Sequence, residues 1–173
     1  MNSLRSALYE ALLKCTPSEF GAVLVHLGLH KSPQIAHATA PIASRVDSLF
    51  TLLDEDRGEL WLLLDAIYRA SARALTDELR DLATLRAQLQ VRLQRLSLDP
   101  REQAAIARGF AITPLDARTL HSLPKARARA RALVDLFRAA LAQAEEDEAV
   151  AAIDRVRERL AADTTTNEPK PEP

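Results

Sequence analysis

Glycine, cysteine and aromatic residues are scarce in this 173-residue chain: four glycines, one cysteine and 4% aromatics. That scarcity, set against a large excess of alanine, leucine and arginine, removes what sheets need and supplies what helices favour. The expected class is all-α. A single cysteine, Cys15, excludes an intramolecular disulfide. No charged, then apolar, then small-residue leader stands before the first helix, so the expected compartment is the cytoplasm. Long hydrophobic runs are also missing. The longest purely apolar stretch, Leu60 to Leu64, falls far short of the roughly 20 residues of a membrane span. Nor is there an excess of either charge: 23 basic against 24 acidic residues give a net charge of -1, so bulk electrostatics favours neither nucleic acid nor an acidic partner.

The motifs of common chemistry are missing too. Without G-x-x-x-x-G-K, G-x-G-x-x-G or G-x-S-x-G, the chain lacks the backbone requirement of phosphate cradles and serine hydrolases. His26 and His30 sit four apart and His37 follows, a spacing that suggests metal ligands. Gly28 ends the helix between the first two, however, and no carboxylate or thiol has fitting spacing, so an ordinary surface role is expected. Cys15 at a helix end carries no flanking signature of a cysteine nucleophile. The expectation is a chain without catalysis, metal or cofactor.

What the sequence does contain is helix punctuation. Leu4, Leu8 and Leu12 form one stripe on a first helix from about Asn2 to Lys14. Thr16-Pro17-Ser18-Glu19 combines a capping box with proline at the first helical position and opens a second helix, with Phe20, Val23, Leu24 and Leu27 inward and a stop at Gly28. Ser32-Pro33 is expected to start a short third helix. Pro41 starts a fourth with Ile42, Val46, Leu49, Phe50 and Leu53 on its core face. After the charged turn Asp54-Glu55-Asp56-Arg57-Gly58 comes a fifth carrying Leu60, Leu63, Leu64, Ile67 and Tyr68.

Between Glu59 and Asp99 there is neither glycine nor proline, and a long unbroken helix is expected. Leu75, Leu82, Leu89 and Leu96 recur every seventh residue, with Leu79 and Leu93 at the complementary position and Arg86 interrupting once. This is the seam of a coiled coil or of an antiparallel helix pair, able to meet its own chain or a second copy. Asp99-Pro100-Arg101-Glu102 opens a short helix closed by Gly109, and Thr113-Pro114-Leu115-Asp116 repeats the device. A last helical run from about Leu123-Pro124 to Ala162 is broken around Glu145 to Glu148. Within it, Arg127, Arg131 and Arg138 share a stripe beside the apolar face of Leu133, Val134, Phe137 and Leu141, while Lys125 and Arg129 lie on the far side. Residues 164–173, with three prolines and no apolar residue, read as disordered.

The first 72 residues resemble a known family. The run Ala7-Leu8-Tyr9-Glu10-Ala11-Leu12-Leu13, then Thr16-Pro17-Ser18-Glu19, then Leu24-Val25-His26-Leu27-Gly28-Leu29, is similar to the opening of the bacterial effector-associated domains of the Death-like superfamily. Ala43 to Leu49, Arg57-Gly58-Glu59-Leu60 and Leu63 to Ile67 resemble that family's fourth and fifth helices. The resemblance implies a six-helix antiparallel bundle that binds a like domain on another protein and recruits or clusters effectors in bacterial conflict systems, with no catalysis of its own. Family members usually lead into a recognisable effector; here a helical region without an effector signature follows.

The expected organisation is a Death-like module over 1–74, a helical extension with the leucine seam and a C-terminal bundle over 75–162, and a tail over 163–173. The expected function is an interaction adaptor. Its partners would carry a similar helical domain, and a homo-oligomer fits the same surfaces. Arg45, expected to be exposed, and the turn residues Asp54, Glu55, Asp56 and Arg57 are the candidate homotypic contacts, with Arg127, Arg131 and Arg138 as a second contact strip. The alternative is a nucleic-acid-associated protein using that strip.

Overall fold

The computed structural model describes residues 4–55, 58–124 and 128–165. Among the described residues there are nine α-helices and one 3₁₀ turn, and no strand. The chain divides into two compact units, Met1–Ala83 and Thr84–Pro173.

In the first unit, α1 (Leu4–Leu13) packs on α3 (Ile42–Leu52) and α4 (Glu59–Ser71), and α2 (Pro17–His26) packs on α4. The stripe spacing accounts for the core: Leu8, Leu12, Phe20, Val23, Val46, Leu49, Leu63, Leu64 and Ile67 are completely buried. The capping box forms as the residue types dictate. Thr16 Oγ1 accepts from the Glu19 N–H at 3.2 Å, and Glu19 Oε2 accepts from the Thr16 N–H at 2.7 Å. Gly28, at φ 71°, closes α2, and the Leu29 N–H reaches back to the Leu24 carbonyl at 2.8 Å.

The expected third helix is absent. Residues 29–40 form isolated turns, such as Ser32 N–H to Leu29 O at 3.0 Å and Ala40 N–H to His37 O at 2.8 Å. Pro33 would suit a first helical position, but Pro41 biases Ala40 away from helical ψ, and the short stretch between them has Ile35 as its one large apolar side chain, too little burial to offset nucleation.

The stretch after Gly58 is not one helix either. A 3₁₀ turn, Ala72–Ala74, follows α4, Leu75 is extended, and Thr76 caps α5 (Asp77–Gln94) by accepting from the Leu79 N–H at 3.3 Å. Asp77 and Glu78 in the first turn complement the helix dipole there. A threonine cap and two acids therefore stop and restart the helix without glycine or proline.

The Arg73 side chain of the 3₁₀ turn reaches back to the α2 cap, with its Nε 2.9 Å and Nη2 2.6 Å from the Glu19 carboxylate. The Thr16 N–H, and after it Arg73, hold the Glu19 carboxyl at about 2, against an ordinary 4.5. A carboxylate depressed on folding contributes stability that is complete above its unfolded pKa and is lost as pH falls through the folded one. The melting-temperature difference between wild type and Glu19→Gln is therefore expected to be constant near neutrality and to shrink between pH 4.5 and about 2. A difference that did not change over that window would remove the carboxylate from the account.

In the second unit, α6 (Pro100–Ile112), α8 (Arg129–Gln143) and α9 (Asp147–Thr165) pack on one another, with α7 (Ala117–Ser122) between α6 and α8 in the chain. Asp99 caps α6 from the expected position, accepting from the Glu102 N–H at 2.8 Å. Gly109 does not close α6. It lies inside the helix, where a Cβ would come within 2.6 Å of Phe137 Cγ. The next cap is Asp116 and not Thr113: Asp116 accepts from the Thr119 N–H at 2.8 Å. The break between α8 and α9 falls at Glu145, at φ 58°, and the Glu146 N–H closes α8 onto the Leu141 carbonyl at 3.0 Å. Helix α9 continues to Thr165, so 163–165 do not belong to a disordered tail; 166–173 lie outside the described residues.

The leucine seam is buried within the chain at Leu75, Leu79, Leu82, Leu89 and Leu93, and half-buried at Leu96. Arg86 at its interruption is also buried, with its guanidinium carbon 4.5 Å from the Phe110 ring centroid. Among the described residues no helix is long and apolar enough to cross a membrane.

Candidate protein-interaction surfaces

The charged turn after α3 meets α1. The Arg5 guanidinium of α1 pairs with the Glu55 carboxylate, and the Tyr9 hydroxyl, one helical turn further on, donates to Asp47 Oδ1 of α3 at 2.8 Å. Phe50 fixes both α1 side chains from below: Arg5 Cζ lies 4.9 Å from its ring centroid, and the Tyr9 ring lies 5.6 Å away, tilted by 44°. The bond to Asp47 raises the Tyr9 pKa above its ordinary value. Arg5, Asp47 and Glu55 are exposed, Tyr9 and Asp54 half-buried, and Glu10 stands exposed beside them. The result is a polar strip across α1, α3 and the turn whose side chains are already positioned.

Of the expected turn contacts, Asp54 and Glu55 fall in or beside this strip, and Asp56 and Arg57 lie outside the described residues. Sequence reasoning missed Arg5, Tyr9 and Asp47. The first two sit four apart beside the Leu4-Leu8-Leu12 stripe, a spacing that places them on one flank of α1.

Arg45 is not an exposed contact. Only 7% accessible, it lies between α3 and α2 with its guanidinium carbon 4.7 Å from the Phe20 ring centroid, and its Nε has no hydrogen-bond partner. The helical period explains this: Arg45 precedes Leu49 by four residues and shares its inward face. The cation–π contact replaces only part of the lost hydration.

In the second unit the arginine stripe meets carboxylates of its own chain. Arg138 Nε donates to Asp154 Oδ1 at 2.6 Å, and Arg157 joins Asp135 at 2.6 Å and Asp154 at 3.2 Å. Hydrogen bonding from Arg138, and then from Arg157, holds the Asp154 carboxyl below its usual range. Arg131 is exposed, with no partner among the described residues, and lines a shallow depression with Asp135 and Glu158; Arg127 lies outside the described residues. The stripe is thus divided, with Arg138 committed to α9 and Arg131 facing solvent among acids.

His26, His30 and His37 are exposed, with the His37 ring nitrogen 3.0 Å from Thr39 Oγ1. No group of three or more His, Cys, Asp or Glu among the described residues could hold a metal ion. Cys15 is buried, donates to the Ala11 carbonyl at 3.6 Å, and has its thiol pKa raised chiefly by that burial. Compared with family models, with curated proteins and with solved structures, the chain finds no match.

Proposed function

We propose that the chain is a protein-interaction adaptor whose first unit contacts partners through the polar strip of α1, α3 and the following turn. The observation that supports it is the positioned set Arg5–Glu55 and Tyr9–Asp47 above Phe50. Exposed ion pairs contribute little to stability, so a set held this way by an aromatic ring is better accounted for as a recognition surface. The partner would carry a similar helical domain, as the resemblance to effector-associated domains implies, and the outcome would be recruitment or clustering of effectors in bacterial defence. The nucleic-acid alternative loses support because Arg138 is already paired with Asp154.

The double variant Arg5→Glu, Glu55→Arg tests this, because it keeps an ion pair across α1 and the turn while inverting the charge pattern that a partner meets. Tagged full-length chain is expected to capture a helical-domain protein from bacterial lysate, and the swapped variant to lose it by tenfold or more, about 1.4 kcal/mol. Equal capture by both forms would remove the strip from the account.

A further inference from the structure

The second unit carries a cleft of about 750 Å³ between α6 and α9. One wall is the stripe Arg101, Ala104, Ala105 and Arg108 of α6, and the other is Glu148, Ala151 and Arg155 of α9, both at helical spacing. The ion pairs that cross it set the helix directions. Glu102, early in α6, meets Arg155 and Arg159 late in α9, whereas Arg108, later in α6, meets Glu146 just before α9 at 2.8 Å. The two helices are antiparallel, and charge is sorted along the cleft. At one end stand Arg101, exposed and without a partner among the described residues, and Arg155, half-exposed and 3.4 Å from the Glu102 carboxylate. About 10 Å away, along seven residues of α6, stand the exposed Glu145, Asp147 and Glu148, without partners among the described residues, next to Arg108, whose charge is taken up by Glu146. Between the ends the floor is alanine, with Ala104 and Ala151 exposed.

From this we infer that the α6–α9 face around this cleft is the contact surface of a two-fold homodimer, set against the same face of a second copy. A surface with a basic end, a small-residue centre and an acidic end is complementary to itself under a two-fold axis through the centre. Arg101 and Arg155 of one copy then face Glu145, Asp147 and Glu148 of the other, twice over. The alanines let the helices approach without displacing a large side chain. Within one copy Arg155 is engaged by Glu102, while Arg101 stands too far along the cleft from Glu145, Asp147 and Glu148 to pair with them; dimerisation brings Arg101 and these acids together. This extends the interaction reading to the second unit and is independent of the strip in the first.

The test is light scattering of the full-length chain over a concentration series at low and high salt. Wild type is expected to dimerise, more weakly as salt rises. Arg101→Glu and Glu148→Arg each place like charges face to face and are expected to raise the dimer dissociation constant about tenfold or more. Neither residue has a partner among the described residues, so unchanged circular dichroism should accompany the loss. Mixing the two variants restores complementarity and should restore a heterodimer. A wild type that stays monomeric throughout, a dimer that neither variant weakens, or a mixture that stays monomeric would each overturn the proposal. A monomer that still captures a partner through Arg5 and Glu55 would overturn the dimer alone; a dimer that captures nothing would overturn the adaptor reading alone.

Discussion

Gly109→Ala is expected to destabilise the second unit by about 2 kcal/mol, although alanine is the better helix former by about 1 kcal/mol. The new methyl would lie 2.6 Å from Phe137 Cγ, 2.7 Å from its Cβ and 2.9 Å from its Cδ2. Contacts that close to the root of a side chain cannot be relieved by rotating its far end. Phe137 is fully buried and packs against Phe110 with ring centroids 4.7 Å apart, so it has nowhere to retreat. Helices α6 and α8 would have to separate. Gly21→Ala is the control: Gly21 lies inside α2 with nothing within 4 Å of a Cβ, so the same substitution should stabilise by about 0.5–1 kcal/mol. Chemical denaturation of the two variants should give opposite signs. If Gly109→Ala stabilised the chain as Gly21→Ala does, the close approach of α6 to α8 would be refuted.

The second large effect concerns Glu102. Its side chain is 5% exposed and meets Arg155 and Arg159, whose side chains are 49% and 39% exposed; Arg159 also donates to the Leu96 carbonyl at 2.9 Å. The group is lopsided, with the anion inside and both cations at the surface. Removing the cations strands a buried charge, whereas removing the anion frees two arginines to turn into water. Arg155→Ala with Arg159→Ala is therefore expected to cost about 3–5 kcal/mol, and Glu102→Gln only about 1 kcal/mol. Combining all three should recover most of the loss, because the stranded charge is then gone. Urea denaturation of the set checks this. Equal costs for the anion and for the cation pair would show that burial of Glu102 does not govern the cluster.

Both effects depend on features that a linear reading handles unevenly. Caps were legible because they are local: Thr16 with Glu19, Gly28 and Asp99 each act within four residues. Gly109 is ambiguous in sequence, because a glycine that ends a helix and one that admits a neighbouring helix look alike until the neighbour, Phe137, is placed. The break at residues 72–76 carries neither glycine nor proline, and its signal is Thr76 followed by Asp77 and Glu78, which act through capping and the dipole. Ser32-Pro33 has the form of a helix start, but Pro41, which opens the next element, also limits what can follow it. Of the contact strip, the charged turn was visible, but Tyr9 and Asp47 lie 38 residues apart and Arg5 and Glu55 lie 50 apart, distances that no periodicity reports. Arg138 with Asp154 was hidden for the same reason, since the acid sits on the next helix. Arg45 is different, because its inward position could have been read from its spacing to Leu49.

The central claim is that partners meet the first unit on α1, α3 and the turn after α3. Hydrogen–deuterium exchange of the full-length chain, alone and with its captured partner, tests it most directly. The account predicts slowed exchange over Leu4–Leu13 and Ile42–Leu52 when the partner is bound. Binding that leaves both helices unchanged while protecting other segments of the chain would contradict it.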